Sequence, residues 1–388
     1  MAEFYQKAPD DSKTDRRASA KIWYYDLETL YDFFCGVFKK DNNIRIFEIS
    51  YRKNDVKELL DFLSTEVDGL VGYNNLDFDS QIIQHIYQKK QLSANDIHLY
   101  ANKVINSTWP IYKEPDLIIP NLDIYRILHL NNKNRMVGLK WCQFMTDWPN
   151  VEDMPFNHNN SVNTDDQADL IIDYCINDVK STEHLVKLHK KEIDLRISLT
   201  NKYGINFMNS SNSSIGSELM LQLYCKQTGQ IPDIVRKKRT NRRSIDCRTI
   251  IFPYITFNHT AFQSVLETFR KLTVYEKTEN DNEKQKHICS VIYKGIRYDY
   301  GLGGIHGSLE DTIISADDDY IIIDADVASL YPSIAVVNKL FPEHLGEEFA
   351  EVYDKDIVSI RLAEKNKPDG DKTIIAGFKE ASNSVYGG

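Results

Sequence analysis

Near the start of the chain an apolar, aromatic run, Ile22-Trp-Tyr-Tyr-Asp26-Leu-Glu28-Thr-Leu30, carries two carboxylates in the middle of what its composition marks as a β-strand. Asp26 and Glu28 are two residues apart, so in a strand both side chains leave on one face. Two adjacent acids among buried neighbours are costly unless a cation compensates them, so a metal site on an interior strand is the economical explanation of this run. A second strand-like run, Arg45 to Tyr51, is read as the partner of the first. Helix-spaced apolar residues follow at Asp55 to Glu66, at Ser80 to Tyr87 and at Thr164 to about Ile193. In the last of these Thr164 and Gln167 form a capping-box pattern. Strands alternating with helices predict an α/β domain built on a mixed sheet.

The rest of the chain divides by composition. Residues 1–20 are polar and without period and read as a tail, 21–200 as the α/β domain, and 201–299 as a connecting region that opens the next domain. In that region Phe207 to Ser217 reads as a small-residue linker, Glu218 to Thr228 as a helix and Glu276 to His287 as a charged loop. Arg236 to Arg248 is a basic run with seven cations and one acid. Residues 300–340 contain a Gly-rich turn and a buried-type strand, Tyr320 to Asp324, and 341–388 contain two helices joined at Asp369-Gly370. No apolar run reaches membrane-spanning length. Six cysteines without a C-x-x-C pair argue against a zinc cluster or a disulfide framework and read as reduced thiols. The net charge of -10 excludes little, since clustered metal-binding acids coexist with local basic patches.

A third acid, Asp79, stands in Asn75-Leu-Asp-Phe78-Asp79, and a fourth, Asp178, in Tyr174-Cys-Ile-Asn-Asp178, where Tyr174 and Asp178 are one helical turn apart. Acids are common in a chain with 57 of them, so each short motif alone is weak. All three in this order resemble the DEDD-type 3′ to 5′ proofreading exonucleases in their tyrosine-bearing form. An all-carboxylate site with no Cys or His ligand favours Mg²⁺ or Mn²⁺ over zinc. Phosphodiester hydrolysis suits two such ions per site. The resemblance implies that Asp26, Glu28, Asp79 and Asp178 hold the metals, that Tyr174 orients the attacking water, and that Asn75, or alternatively Asn74, and Phe78 hold the frayed 3′ end.

Two motifs near the end of the sequence carry a second resemblance. Asp326-Val-Ala-Ser329-Leu330-Tyr331-Pro332-Ser333 has all six fixed positions of the D-x-x-S-L-Y-P-S motif of family B DNA polymerases, and Lys379 to Gly387, K-E-A-S-N-S-V-Y-G, resembles the fingers motif of the same family. By that resemblance Asp326 ligates both polymerase metals, Ser329 and Leu330 cradle a deoxynucleoside triphosphate, and Tyr331 stacks beneath its sugar. Lys379, Asn383 and Tyr386 would form one helical stripe facing phosphates and nascent base pair, with Arg361 and Lys365 as further triphosphate contacts. The expected fold is a ribonuclease-H-like exonuclease domain, then a partial palm and two-helix fingers. The Y-x-D-T-D hairpin that supplies a second polymerase acid occurs nowhere in the sequence.

Arg236, Lys237, Lys238, Arg239, Arg242 and Arg243 are the expected phosphate contacts of bound DNA. Gly303 and Gly304, in a turn resembling the family's Y-x-G-G element with one additional residue, would let backbone approach a template. The resulting expectation is the N-terminal portion of a DNA-directed DNA polymerase with a proofreading exonuclease, acting in replication. Its partners would be primer-template DNA, single-stranded 3′ ends, deoxynucleoside triphosphates and a C-terminal polymerase fragment or subunit, with no membrane. Two alternatives remain open: a stand-alone exonuclease with a vestigial polymerase part, and a non-catalytic DNA-binding subunit. The compact region before Asp26 looks phage-like, so a bacterial or phage-infected cytoplasm is expected.

Overall fold

A five-stranded mixed sheet organises the first half of the chain in the computed structural model, which describes residues 20–128, 136–276, 287–327 and 329–385. The strands are β1 (Ile22–Thr29), β2 (Phe34–Lys40), β3 (Asn43–Ile49), β4 (Gly69–Gly72) and β5 (Asn121–Asp123), in the order β3-β2-β1-β4-β5. β1–β2 and β2–β3 pair antiparallel, while β1–β4 and β4–β5 are parallel. The run from Arg45 is therefore not the neighbour of β1. β2 intervenes, joined to β3 by a two-residue turn in which Asp41 is left-handed (φ 53°). Phe34 to Phe38 are all buried, so β2 lacks the polar alternation by which a strand is recognised.

The period-2 pattern of β1 assigns its two faces. Trp23, Tyr25 and Leu27 pack with α1 (Val56–Thr65), α2 (Asp79–Lys89) and α3 (Ala94–Ile105). Ile22 and Tyr24 pack on the other side with α4 (Ile124–Ile127) and with Ile171, Cys175 and Val179 of α6 (Asp165–Leu188), so Asp26 and Glu28, next in that alternation, face α6. Between α4 and α6 lies the short α5 (Leu139–Met145). Thr164 caps α6 by accepting from Gln167 N, but the Gln167 side chain reaches back to Asn163 N, one residue earlier than a standard capping box. The long helical pattern breaks at His189, and α7 (Lys190–Tyr203) begins immediately after it.

The serine-rich stretch read as a linker is largely helix: α8 (Asn212–Thr228) starts there because Ser211 accepts from Ser214 N as its N-cap. Arg196 of α7 is wholly buried and ties this junction, donating to Ser210 O, Ile127 O, Glu192 O and Asn212 Oδ1. The described residues form two compact units, those of 20–229 with those of 351–385, and those of 230–350.

The second unit contains α9 (Pro232–Val235), β6 (Ser244–Asp246), α10 (Thr260–Arg270) and β7 (Thr273–Tyr275), with β6 and β7 paired antiparallel. It continues with the antiparallel sheet of β8 (Cys289–Tyr293), β9 (Ile296–Gly301) and β10 (Gly304–Ser308), then α11 (Leu330–Asn338). The strand expected at Tyr320 to Asp324 is not formed, and Ile321, Ile322 and Ile323 are exposed at 79, 61 and 76%. A β-branched run supplies propensity only; a strand also needs a ladder partner, and among the described residues none pairs with this one.

The first of the two helices expected in 341–388 is realised as α12 (Glu347–Val352), a π-helical stretch Tyr353–Val358 and α13 (Ser359–Lys365). α14 (Lys372–Ser384) follows, capped by Asp371, which also pairs with Lys202 at 2.7 Å. Within the first unit α14 lies directly against α8. Gly216 makes that approach possible, since a Cβ there would stand 2.2 Å from the Glu380 carbonyl oxygen.

Candidate active site

Three of the four predicted carboxylates meet. Oxygens of Asp26 and Glu28 on β1 and Asp178 on α6 all lie within 4.8 Å of one another, with Glu28 and Asp178 buried and Asp26 partly exposed. Asp79, the first residue of α2, is held beside them by a different bond: its Oδ1 accepts from Leu27 N at 3.1 Å, between the two acids of β1. Tyr174, buried one turn before Asp178, completes the group. The spacing logic of the sequence therefore translates into one cluster: period 2 in the strand, period 3.6 in the helix, and an acid at a helix start.

So many carboxylates in one place resist ionisation together. Burial, reinforced by the charges of Asp79 and Asp178, holds Asp26 well above the usual carboxylate range, and burial with the Asp26 charge does the same to Glu28. Burial also raises Asp79 to about 7, against the opposing pull of the N–H groups of Asp79 and Leu27. The Tyr174 phenol is pushed upward first by burial and then by the charge of Asp178, so it stays protonated at neutral pH. A hard divalent cation fits this donor set: the oxygens converge, all are carboxylate, and their repulsion is what such an ion removes.

One cation of the chain already stands there, and the motifs did not reveal it. Lys140 of α5 places Nζ 2.5 Å from Asp178 Oδ1 and 4.1 Å from the centre of the Tyr174 ring. Gln143, one turn on, donates to the same Asp178 oxygen at 2.9 Å and to Ser181 Oγ at 2.7 Å. The available signal was two polar residues three apart in an otherwise apolar helix, Leu-Lys140-Trp-Cys-Gln143-Phe-Met. Cys175 also touches the cluster, its thiol 3.4 Å from the Asp26 carbonyl oxygen and 3.7 Å from Asp26 Oδ2.

The loop between β4 and α2 is braced from beneath. Asp123, fully buried, accepts from Asn74 N, Leu76 N and Tyr125 N. Asn75, expected to hold a DNA end, is instead turned inward: its side chain is wholly buried and Nδ2 donates to Asn121 Oδ1 at 2.8 Å, tying the loop to β5. Asn74 is only partly buried, with left-handed backbone (φ 57°). Phe78 is half-buried at the N-cap of α2.

The residues expected to form half a polymerase site are distributed between the units. Asp326 is exposed and outside regular structure in the second unit, where Ser329 (φ 55°) precedes α11 and Leu330 and Tyr331 are 45 and 58% exposed. Lys379 and Asn383 are exposed on α14 and Lys365 on α13 of the first unit, while Arg361 is half-buried. Tyr386 lies outside the described residues. The basic run is partly neutralised within the second unit. Arg236 pairs with Asp233 at 3.0 Å, Arg242 pairs with Glu343, Lys238 donates to Gln230 and Arg239 to backbone carbonyls, while Lys237 and Arg243 stand in the same segment. Gly303 lies in the two-residue turn of the β9–β10 hairpin, and Gly304, at φ 150°, opens β10 opposite Gly301.

No protein-family model matches the chain, and no curated protein is similar to it by sequence. Among solved structures it is similar to the family B DNA polymerase from the hyperthermophilic archaeon Pyrobaculum calidifontis, with a TM-score of 0.49 and 13% sequence identity. That match covers 95% of this chain and 47% of the polymerase, so the chain spans about half the length of that protein. No helix among the described residues is long and apolar enough to cross a membrane.

Proposed function

We propose that the first unit is a divalent-metal-dependent exonuclease that removes nucleotides from the 3′ end of single-stranded DNA. The observation that carries this reading is the convergence of Asp26, Glu28 and Asp178 within 4.8 Å, with Asp79 anchored between the β1 acids and Tyr174 beside them. Asp26, Glu28, Asp79 and Asp178 would hold Mg²⁺ or Mn²⁺. When bound, such ions neutralise the carboxylates and stabilise charge on the oxygens of a phosphodiester under attack. The protein's own groups divide the remaining work. Tyr174, protonated at neutral pH, holds a water by its phenol oxygen but does not act as a base. Lys140 steadies Asp178 and offers a positive charge next to Tyr174, where a phosphate oxygen gains from it. Gln143 fixes the same carboxylate oxygen and limits its rotation.

The polymerase part of the proposal rests on the sequence: the complete D-x-x-S-L-Y-P-S run at 326–333 and the K-E-A-S-N-S-V-Y-G run at 379–387. Accordingly, the chain acts as the N-terminal portion of a family B DNA polymerase, and nucleotide addition needs a second acid from a C-terminal segment or partner. The experiment is degradation of a single strand labelled at its 5′ end. Wild-type protein with Mg²⁺ gives a ladder shortening from the 3′ end, and Asp26→Ala with Glu28→Ala gives none. An unchanged ladder from the double variant contradicts the assignment.

A further inference from the structure

The helix that supplies Lys140 to the acid cluster has a second side. Lys140 and Gln143 turn inward to Asp178, whereas Trp141 and Phe144, each the next residue and so about 100° further round the helix, are exposed at 57 and 63%. Met145 beside them is 62% exposed. The two rings lie 5.6 Å apart, inclined by 32°. This face is held in place: Gln143 is bonded to Asp178 and Ser181, and further along Trp148 Nε1 donates to Asn177 Oδ1 while Asn177 Nδ2 donates to Asn150 O. Large aromatic residues left in water on a pinned helix mark a surface that meets a partner.

We propose that Trp141 and Phe144 form a base-stacking platform for the single strand whose 3′ end occupies the acid cluster. The occupant follows from continuity: one turn of α5 presents a cation and an amide to the phosphodiester chemistry and, on the adjoining face, flat apolar rings that suit unpaired bases of any identity. The proposal rests on the exonuclease reading, and its test is arranged so that each can fail separately. Binding of a dT oligonucleotide is measured in EDTA by quenching of tryptophan fluorescence and by anisotropy of a labelled strand. Hydrolysis is measured in parallel on thymidine 5′-p-nitrophenyl phosphate, a substrate with a single base.

Trp141→Ala and Phe144→Ala are each expected to weaken oligonucleotide binding about tenfold. Hydrolysis of the one-base substrate should stay within twofold of wild type, which also shows that the variants fold. Trp141→Tyr should restore binding, whereas Trp141→Leu, of similar apolar bulk, should not. Trp109→Ala, at a tryptophan 78% exposed elsewhere, should bind as wild type. Undiminished binding by both alanine variants overturns the platform even if hydrolysis is strong. Trp141-dependent binding with no hydrolysis by wild type overturns the exonuclease and leaves the platform. Self-association that disappears in Trp141→Ala while oligonucleotide binding does not change assigns the face to a second copy and refutes the proposal.

Discussion

Asp79→Asn should make the metal-free protein more stable at neutral pH, although it removes a residue from the proposed active site. Asp79 ionises at about 7 in the folded chain against an ordinary 3.8, chiefly because it is buried. That gap of about 3 units, at about 1.36 kcal/mol each, corresponds to an upper figure of about 4 kcal/mol of strain in the charged form. Coupling to the neighbouring acids reduces it to roughly 2–4 kcal/mol. Asparagine matches the shape and keeps an oxygen to accept from Leu27 N. A raised carboxylate contributes stability that is present below the unfolded pKa and lost as pH rises through the folded one, so the window is about pH 4 to 7. Asp79→Asn should therefore exceed wild type by about 2–4 kcal/mol at pH 8 in EDTA and by only about 0.5 kcal/mol at pH 4. Urea unfolding at both pH values, read by tryptophan fluorescence, measures this; Trp23 on β1 is 3% exposed. Millimolar Mg²⁺ should raise wild-type stability at pH 8 more than that of the variant. Equal or lower stability of Asp79→Asn at pH 8 without metal would refute the argument that burial disfavours the charged form of Asp79.

Lys140→Met should slow single-strand degradation by roughly 10- to 100-fold while lowering the Mg²⁺ concentration needed for half-maximal rate, because the cation competing for Asp178 is gone; a metal titration of initial rates reports both. Gly216→Ala should destabilise the first unit by about 1–3 kcal/mol, as its Cβ would meet the Glu380 carbonyl and force α8 from α14, and thermal unfolding shows this as a lower Tm. Arg196→Met relieves a buried charge whose pKa burial lowers to about 10, yet leaves the carbonyls of Ser210 and Ile127 without this donor. A net loss of about 2 kcal/mol in urea unfolding is expected.

The acid cluster was legible because each part of it obeys a local period. Alternation in β1 put Asp26 and Glu28 on one face, one helical turn joined Tyr174 to Asp178, and the sheet order only had to bring β1 under α6. Lys140 was not legible, since its contact with Asp178 spans 38 residues and depends on where α5 settles. The orientation of Asn75 was not legible for the same reason: an amide before a helix can face solvent or Asn121, and only the packing of β5 decides. β2 and the Tyr320 to Asp324 run show the two failures of propensity, a real strand with no alternation and an alternation-free apolar run with no partner strand among the described residues.

The most direct test of the proposed metal centre is a titration of metal-free protein with Mn²⁺, following the free ion by electron paramagnetic resonance. Two ions bound per acid cluster, displaced by excess Mg²⁺ and lost in Asp26→Ala with Glu28→Ala, are the predicted result. Mn²⁺ uptake by the double variant equal to that of wild type would contradict it.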